Sequence, residues 1–457
     1  MAGIGFELRR VLGTDGLSGR VGALASGIFV VAGPWLMSIV AMAALQALFG
    51  RLGVAKAEVF QAYVIYAYAF SLSLFSGLHH LFTRAIADFV WEGRKGEACR
   101  LMLRYAGAAA LASALIALPA AAMPAFEGVP NPALLRLGIV ALFSALNAAW
   151  IALLFSSLFK RYLTILAIYG FGLALGVGAA AWLGASYGPG GALLGYAAGF
   201  IAMDLGFVAA ATLSFPPKPY AAVPIRRFVR RNAWLIASGA LFYAGQWLDK
   251  FVLWALRGEP VAGTPLALYP RYDYLVYLAG LSVIPGLLYF VIYAETRLYT
   301  DLRHFLFMVN RASWRRIQEA KRRVAAGLRA ELRDQSLLQG AATLAAAALA
   351  PRLAPAQDLA VAWLALGAAF FQFTLLTLLV FLYYFELYAK AFAAALCYAA
   401  LNGLGTILLY SLIPAAPPGL SHLAAGAGAC ALAWYFLRSS VYRLDALLYQ
   451  RALKPAG

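Results

Sequence analysis

The feature that most restricts this chain is a succession of apolar runs of about 20 residues that recurs from Val21 almost to the C-terminus, the length a helix needs to cross a bilayer. In lipid, backbone amides find no partner outside the chain, which leaves helices or a closed barrel. The runs are continuous rather than alternating, so helices are expected. Spans of this length fall near residues 21–49, 59–82, 105–126, 134–158, 163–184, 190–213, 233–256, 274–294, 337–354, 359–382, 386–413 and 420–437, twelve in all. The ninth is short and Ala-rich, with Pro351 and Pro355 near its end. An apolar stretch beginning at Val21 and reaching Phe49 is longer than the roughly 7–15 residues of a signal peptide, so a retained first span is expected. Ordinary soluble domains carry about 25% charged residues. Here 12% are charged, 63% are hydrophobic and the mean hydropathy is +0.77, which excludes a soluble globular fold.

The net charge of +18 suggests nucleic acid until its distribution is followed along the chain. The N-terminal tail, 83–104, 159–162, 214–232, 295–336, 383–392 and the C-terminal tail together hold 30 basic residues, and the alternate loops hold six. Positive residues stay cytoplasmic. This asymmetry puts both termini of a multi-pass membrane protein inside and removes the case for a nucleic-acid partner. Cys99, Cys397 and Cys430 are odd in number and lack ligand spacing, so neither a disulfide framework nor a metal site is expected. No phosphate-cradling loop, zinc-protease helix or nucleophile elbow is present, and no cofactor or enzymatic activity is expected.

One stretch occurs twice. Residues 25–36 and 237–248 match at seven of twelve positions, pairing Ala25, Ser26, Gly27, Ala32, Gly33, Trp35 and Leu36 with Ala237, Ser238, Gly239, Ala244, Gly245, Trp247 and Leu248. The offset of 212 residues is close to half the chain and places the copies in spans one and seven. Such spacing predicts an all-α membrane protein of two six-helix bundles, a recurring plan in secondary transporters. The halves would be residues 1–213 and 233–457, joined by a cytoplasmic linker, 214–232, that contains the Pro-Pro-Lys-Pro run at 216–219.

The segment 295–336 carries ten basic and five acidic residues, with Leu302, Phe305, Val309, Ile317, Val324, Leu328 and Leu332 at roughly helical spacing. It predicts an amphipathic helix on the inner leaflet or a docking site for a cytoplasmic partner, with Arg315, Arg316, Arg322 and Arg323 as its contact residues. A solvated hairpin is the plainer alternative.

Ionisable residues inside a span are costly and point to function. At 100° per residue, Tyr243, Gln246, Trp247, Asp249, Lys250 and Trp254 share one sector of span seven, opposite Leu248 and Phe251. Aromatic faces beside hydrogen-bonding groups suit a saccharide path, and Trp35 of the first copy joins this set. A buried Asp–Lys clasp with Trp254 in an interfacial aromatic belt is the structural alternative. Asp204, midway along span six, either pairs with Lys250 or couples to an ion, as Asp249 also can. Pro34 and the Pro285–Gly286 pair should kink their spans. Glycines at 172 and 176 and at 191, 195 and 199 predict close helix contacts.

The opening Met-Ala-Gly-Ile-Gly-Phe-Glu-Leu-Arg-Arg, Gly33-Pro34-Trp35, Trp247-Leu248-Asp249-Lys250 and the run from Ile284-Pro285 to Glu295-Thr296-Arg297-Leu298-Tyr299 resemble the PelG family. The resemblance runs along nearly the whole chain. It implies the multidrug/oligosaccharidyl-lipid/polysaccharide flippase superfamily, with two bundles around a central cavity. It further implies transport of an N-acetylgalactosamine-rich polymer made by a cytoplasmic glycosyltransferase, in complex with other Pel inner-membrane subunits. Alternatives are a flippase for lipid-linked oligosaccharide, a cation-coupled drug exporter of the same fold, a membrane-embedded glycosyltransferase and a scaffold subunit. Loops of at most 42 residues are too short for a nucleotide-sugar domain, and a scaffold has no need to bury Asp, Lys and Gln together.

The charge asymmetry generates a topology prediction. A single cysteine within 295–336 should be protected from an impermeant thiol reagent added from the periplasm, and one within 185–189 should react. Labelling of 295–336 from outside would overturn the twelve-span arrangement.

Overall fold

Among the described residues, ten helices are long and apolar enough to cross a membrane. The computed structural model describes residues 17–123, 126, 128–157, 162–220, 225–446 and 449. The opening decapeptide lies outside them. In chain order the helices are α1 (Leu17–Leu52), α2 (Ala57–Trp91), α3 (Lys95–Ala122), α4 (Pro132–Ser156), α5 (Tyr162–Tyr187), α6 (Pro189–Ser214), α7 (Ile225–Arg231), α8 (Ala233–Gly245) and α9 (Leu248–Arg257). A two-residue hairpin follows, β1 (Glu259–Pro260) pairing antiparallel with β2 (Ala267–Leu268). Then come α10 (Pro270–Leu281), α11 (Ile284–Tyr289), a π-helical turn (Phe290–Ala294), α12 (Glu295–Arg311), α13 (Trp314–Leu353), α14 (Leu359–Tyr384), α15 (Tyr388–Leu412) and α16 (Leu420–Val441).

Packing divides the chain into two compact units, one of residues 32–270 and one of 1–31 with 271–457. In the first, α5 and α6 make the most extensive contact, and α6 also packs on α4. Glycine explains the closeness. A Cβ on Gly199 would lie 2.5 Å from the Cα of Gly176, and one on Gly195 would lie 2.5 Å from the Ala179 backbone. Helices in lipid associate through such small-residue faces because there is no water to drive them together. Phe60 sits edge-on to both Phe49 and Tyr196, at 5.2 and 5.8 Å between centroids, in the same core. Helix α8 lies against α2 within this unit.

Two of the twelve expected spans, 233–256 and 337–354, are not among these ten. The run 233–256 is two helices, of 13 and 10 residues, separated at Gln246–Trp247. The run 337–354 is the apolar end of α13, a 40-residue helix that begins in the basic segment. Helix α1 continues through Pro34 as one element, and Ser38 Oγ donates to the Pro34 carbonyl at 3.0 Å. Span eight does break, at Ser282–Val283, just ahead of Pro285 at the start of α11.

The second unit joins α14 and α15 to α16 and adds the hairpin of α12 and α13. That hairpin corrects the expectation of an amphipathic helix lying on the membrane. Leu298 and Phe305 on α12, and Ile317, Val324 and Leu328 on α13, are buried, because the two helices pack on each other. Most of the apolar stripe is covered by this packing, while Leu302 and Val309 are half-buried. Arg297 bonds Glu331 at 2.5 Å and Arg323 bonds Asp301 at 3.1 Å across the hairpin, while Arg315, Arg316 and Arg322 remain exposed. Lys390 Nζ donates to Ser440 Oγ of α16 at 2.7 Å.

The hairpin is tied to the segment after α16. Lys321 Nζ and Gln318 Nε2 donate to Asp445 Oδ2 at 2.8 and 2.7 Å. Burial alone would raise the Asp445 carboxyl, but these two donors, the Ala446 amide and the Lys321 charge together hold it below its ordinary value. A depressed carboxylate stabilises the fold at pH above its unfolded value and loses that contribution as pH falls through the folded one. The purified protein should therefore lose part of its thermal stability below about pH 4. Asp445→Asn should lower stability at pH 7 by about 1.5–3 kcal/mol, the range for hydrogen bonds to charged groups, and flatten the acid limb. An unchanged acid limb in that variant would show that the tie is unimportant.

Candidate functional site

The break in span seven buries two charged side chains, Asp249 and Lys250. The Trp247 amide bonds the Ala244 carbonyl at 2.9 Å, three residues back, and the Phe251 amide resumes four-residue spacing to Trp247 at 2.9 Å. Lys250 Nζ turns back to the Gln246 carbonyl at 2.8 Å and lies 3.4 Å from Asp249 Oδ1. It also sits 5.5 Å from the centre of the Trp247 ring. Asp249 is 0% exposed and Lys250 is 7% exposed. The ammonium thus reaches a backbone carbonyl, a carboxylate and an aromatic ring at the point where the helix changes course. Such a group is costly in low dielectric, and these contacts offset the cost.

Aromatic rings continue from this point toward the β-hairpin. Trp247 lies 6.3 Å from both Phe251 and Trp254, and Phe251 lies 5.6 Å from Trp254. Helix α2 contributes Tyr66, stacked on Trp254 at 4.7 Å, and Phe70, stacked on Phe251 at 5.1 Å. The Tyr66 hydroxyl donates to the Ala267 carbonyl of β2 at 2.8 Å, anchoring the hairpin to this layer. Trp254 is 2% exposed, so its ring is enclosed by protein, whereas Trp247 is half-buried. Phe251 lies outside the polar sector yet falls in the cluster, because it follows Trp247 by four residues and so sits only about 40° from it on the helix. Tyr66 and Phe70 come from another helix, so no pattern within span seven points to them.

The remaining candidates are spread more widely. Tyr243 faces His80 of α2 at 6.4 Å, and the repeated glycine of the seventh span explains how α8 comes so near. A Cβ on Gly239 would overlap the His80 ring, and Ser76 Oγ donates to the Gly239 carbonyl at 3.3 Å. Trp35 is 37% exposed on α1 and makes no ring contact with another described residue. Asp204 keeps one carboxylate oxygen, Oδ1, buried without a hydrogen-bond partner. It forms no ion pair with Lys250 among the described residues, because the Lys250 ammonium is turned toward Gln246 and Asp249.

A second buried polar group is missed when the sequence is divided into loops and spans. Glu331, Gln335 and Gln339 follow at four-residue intervals on α13 and are 2%, 2% and 0% exposed. Glu331 accepts from the Tyr289 hydroxyl at 2.9 Å, and Glu295 accepts from the Tyr384 hydroxyl at 2.7 Å. A segment boundary drawn at residue 336 cuts this ladder in two. Its signal is the polar spacing carried across that boundary into the Ala-rich run.

Helix content and the ten helices of spanning length define a multi-pass membrane protein, and the solved structures it resembles agree on the fold. The chain is similar to the Vibrio cholerae MATE transporter VcmN in two structures. A mutant with one Asp-to-Asn substitution is 16% identical, with 92% of this chain and 99% of that one covered and a TM-score of 0.55. The bent form is 14% identical, with 93% and 98% covered and a TM-score of 0.55. An outward-facing multidrug resistance MATE family transporter of the MOP superfamily is 12% identical, with 92% and 96% covered and a TM-score of 0.56. No curated protein matches the chain. The family model described as "PelG: Putative exopolysaccharide Exporter (EPS-E)" matches residues 1–449, and the chain belongs to that family.

The ion pair generates a stability prediction. Asp249→Asn or Lys250→Gln leaves the other charge buried, at a cost of about 3–5 kcal/mol. Each single variant should give a reduced monodisperse peak in detergent by fluorescence-detected size exclusion. Wild-type abundance and thermal stability in both would show that the fold does not depend on the pair.

Proposed function

We propose that this protein moves a Pel-type, N-acetylgalactosamine-rich polysaccharide from the cytoplasm to the periplasm and is not an enzyme. Membership of the exporter family supports the substrate class, and a MATE-like fold supports transport by a bundle. The observation that carries the pathway is the half-buried Trp247 beside the buried Asp249–Lys250 pair at a helix break. Broken helices line substrate routes in transporters because they present backbone and side-chain polar groups at membrane depth. Trp247 offers a ring face to sugar C–H surfaces, with Tyr243 and Gln246 as hydrogen-bonding neighbours and Trp254 as backing. Trp35 belongs to the same path in the first copy of the repeat. Asp204 and Asp249 are the carboxylates for ion coupling.

In this reading the segments 233–257 and 337–353 cross with the ten longer helices, giving twelve spans in two six-helix halves. The protein sits in the inner membrane with both termini cytoplasmic. The exposed Arg315, Arg316 and Arg322, with Arg323, face a cytoplasmic glycosyltransferase and the other Pel inner-membrane subunits.

Trp247→Ala should cut export about tenfold, the factor that about 1.4 kcal/mol of lost binding gives, at unchanged protein abundance. Leu248→Ala should be milder. Cell-surface polymer is measured with an N-acetylgalactosamine-specific lectin. Wild-type export by Trp247→Ala would remove span seven from the path.

A further inference from the structure

The hairpin of α12 and α13 is open along one side. Two cavities, of about 430 and 280 Å³, share Arg323 in their linings and are parts of one groove between the helices. One wall carries Arg297, Asp301, His304 and Met308 of α12, at three- and four-residue intervals and so on one face. The other carries Arg316, Ala320, Arg323, Gly327 and Glu331 of α13 at the same spacing. From Arg316 to Glu331 this wall is about 22 Å long at 1.5 Å per residue. The groove is therefore a track and not a closed pocket.

Its polar atoms hold one another in place. Arg297 Nη1 donates to Glu331 Oε1, whose second oxygen accepts from the Tyr289 hydroxyl. Arg323 binds Asp301 Oδ1 through Nε at 3.1 Å, and among the described residues its terminal amino groups and Asp301 Oδ2 have no partner. Gly327 keeps that oxygen open, because a Cβ there would lie 2.8 Å from it. Fixed donors beside a free acceptor suit a sugar hydroxyl, which donates and accepts at once. Charge points the same way. Arg297, Arg316 and Arg323 are matched by Asp301, Glu319 and Glu331, so the groove lacks the uncompensated guanidinium groups that a phosphate ligand needs. Tyr289 and Tyr293 continue the Arg297 face by four-residue steps into the spanning part of the segment. Their rings are half-buried and 5.2 Å apart, which leaves ring surface for sugar C–H groups.

We propose that this groove binds an uncharged saccharide chain, with Arg323 and Asp301 holding hydroxyl or N-acetyl groups and the two tyrosines receiving the chain at the membrane end. The proposal rests on the polysaccharide reading above and adds residues for the same substrate class that share none with the Trp247 cluster. Neighbouring arginines and carboxylates fix each other's rotamers, so little side-chain freedom is lost when a chain is bound.

The test is calorimetric titration of an N-acetylgalactosamine tetrasaccharide into the full-length protein in lipid nanodiscs, with UDP as a phosphate-bearing probe. The expected result is saturable tetrasaccharide binding, weakened about tenfold or more in Asp301→Asn/Arg323→Gln, as losing hydrogen bonds to charged groups implies. Gly327→Val, which fills the groove from the other wall, should weaken it similarly. The double variant removes both charges together and strands neither, which protects the fold. Arg329→Gln, exposed on α13 outside the groove, should bind as wild type does. Tetrasaccharide binding that survives both groove variants, or falls equally in Arg329→Gln, would overturn the proposal. If Trp247→Ala abolishes that surviving binding, the polysaccharide reading stands and only the groove falls. UDP binding that the groove variants abolish, without tetrasaccharide binding, would assign the groove to a phosphate ligand and overturn the proposal. No tetrasaccharide binding by a protein that restores lectin-detected polymer in cells overturns the groove alone; with no polymer restored, the polysaccharide reading falls too.

Discussion

The backbone's need for hydrogen bonds in a medium that supplies none governs this structure. Most of the chain meets that need with long unbroken helices. Where helices break, a side chain from within or beside the break supplies a donor: Lys250 reaches the Gln246 carbonyl, and Gln339 reaches the Ser282 carbonyl. A break without such a donor would leave carbonyls stranded at a cost of several kcal/mol, comparable to the whole stability of a marginally stable fold. Both donors are long, polar and buried. Buried polar groups gather at the breaks because the backbone there needs partners that lipid does not supply.

Close packing is the second constraint, and it decides where the polar groups end up. Gly195 and Gly199 let α5 and α6 touch backbone to backbone, Gly239 lets α8 settle against His80, and Gly286 makes room for Gln339. In each case the missing side chain sets the distance between two elements, and the polar neighbours fall into reach as a result. The hairpin of α12 and α13 follows different rules because it carries charge on its outer faces. Most of its apolar stripe is covered within the hairpin, its ion pairs cross the hairpin, and Asp445 ties it to the segment after α16.

Much of this organisation is legible in the amino-acid sequence. The spans, the asymmetry of basic residues, the glycine ladders and the polar character of 243–254 depend on local composition and on one period, which a sequence displays directly. Legibility ends where a contact joins two separate segments. Tyr66 and Phe70 lie in span two and meet Trp254 and Phe251 only in the fold, and a loop boundary divides Glu331 from Gln339. The pairing of Lys250 is open between two carboxylates in the sequence, because sequence distance says nothing about which helix lies nearer.

By itself the sequence determined the class of medium, the helical content, the existence of a buried charge in span seven and the family resemblance, since each follows from hydropathy, charge or a motif read along one line. The tertiary structure alone decided that Lys250 turns to Asp249 and Gln246, that Tyr66 and Phe70 complete the aromatic layer, and that most of the 295–336 stripe is covered within a hairpin. These are relations that depend on how segments meet in space. They are set by how closely backbones approach and by which donors are left to satisfy a broken turn, and neither quantity is written in local composition.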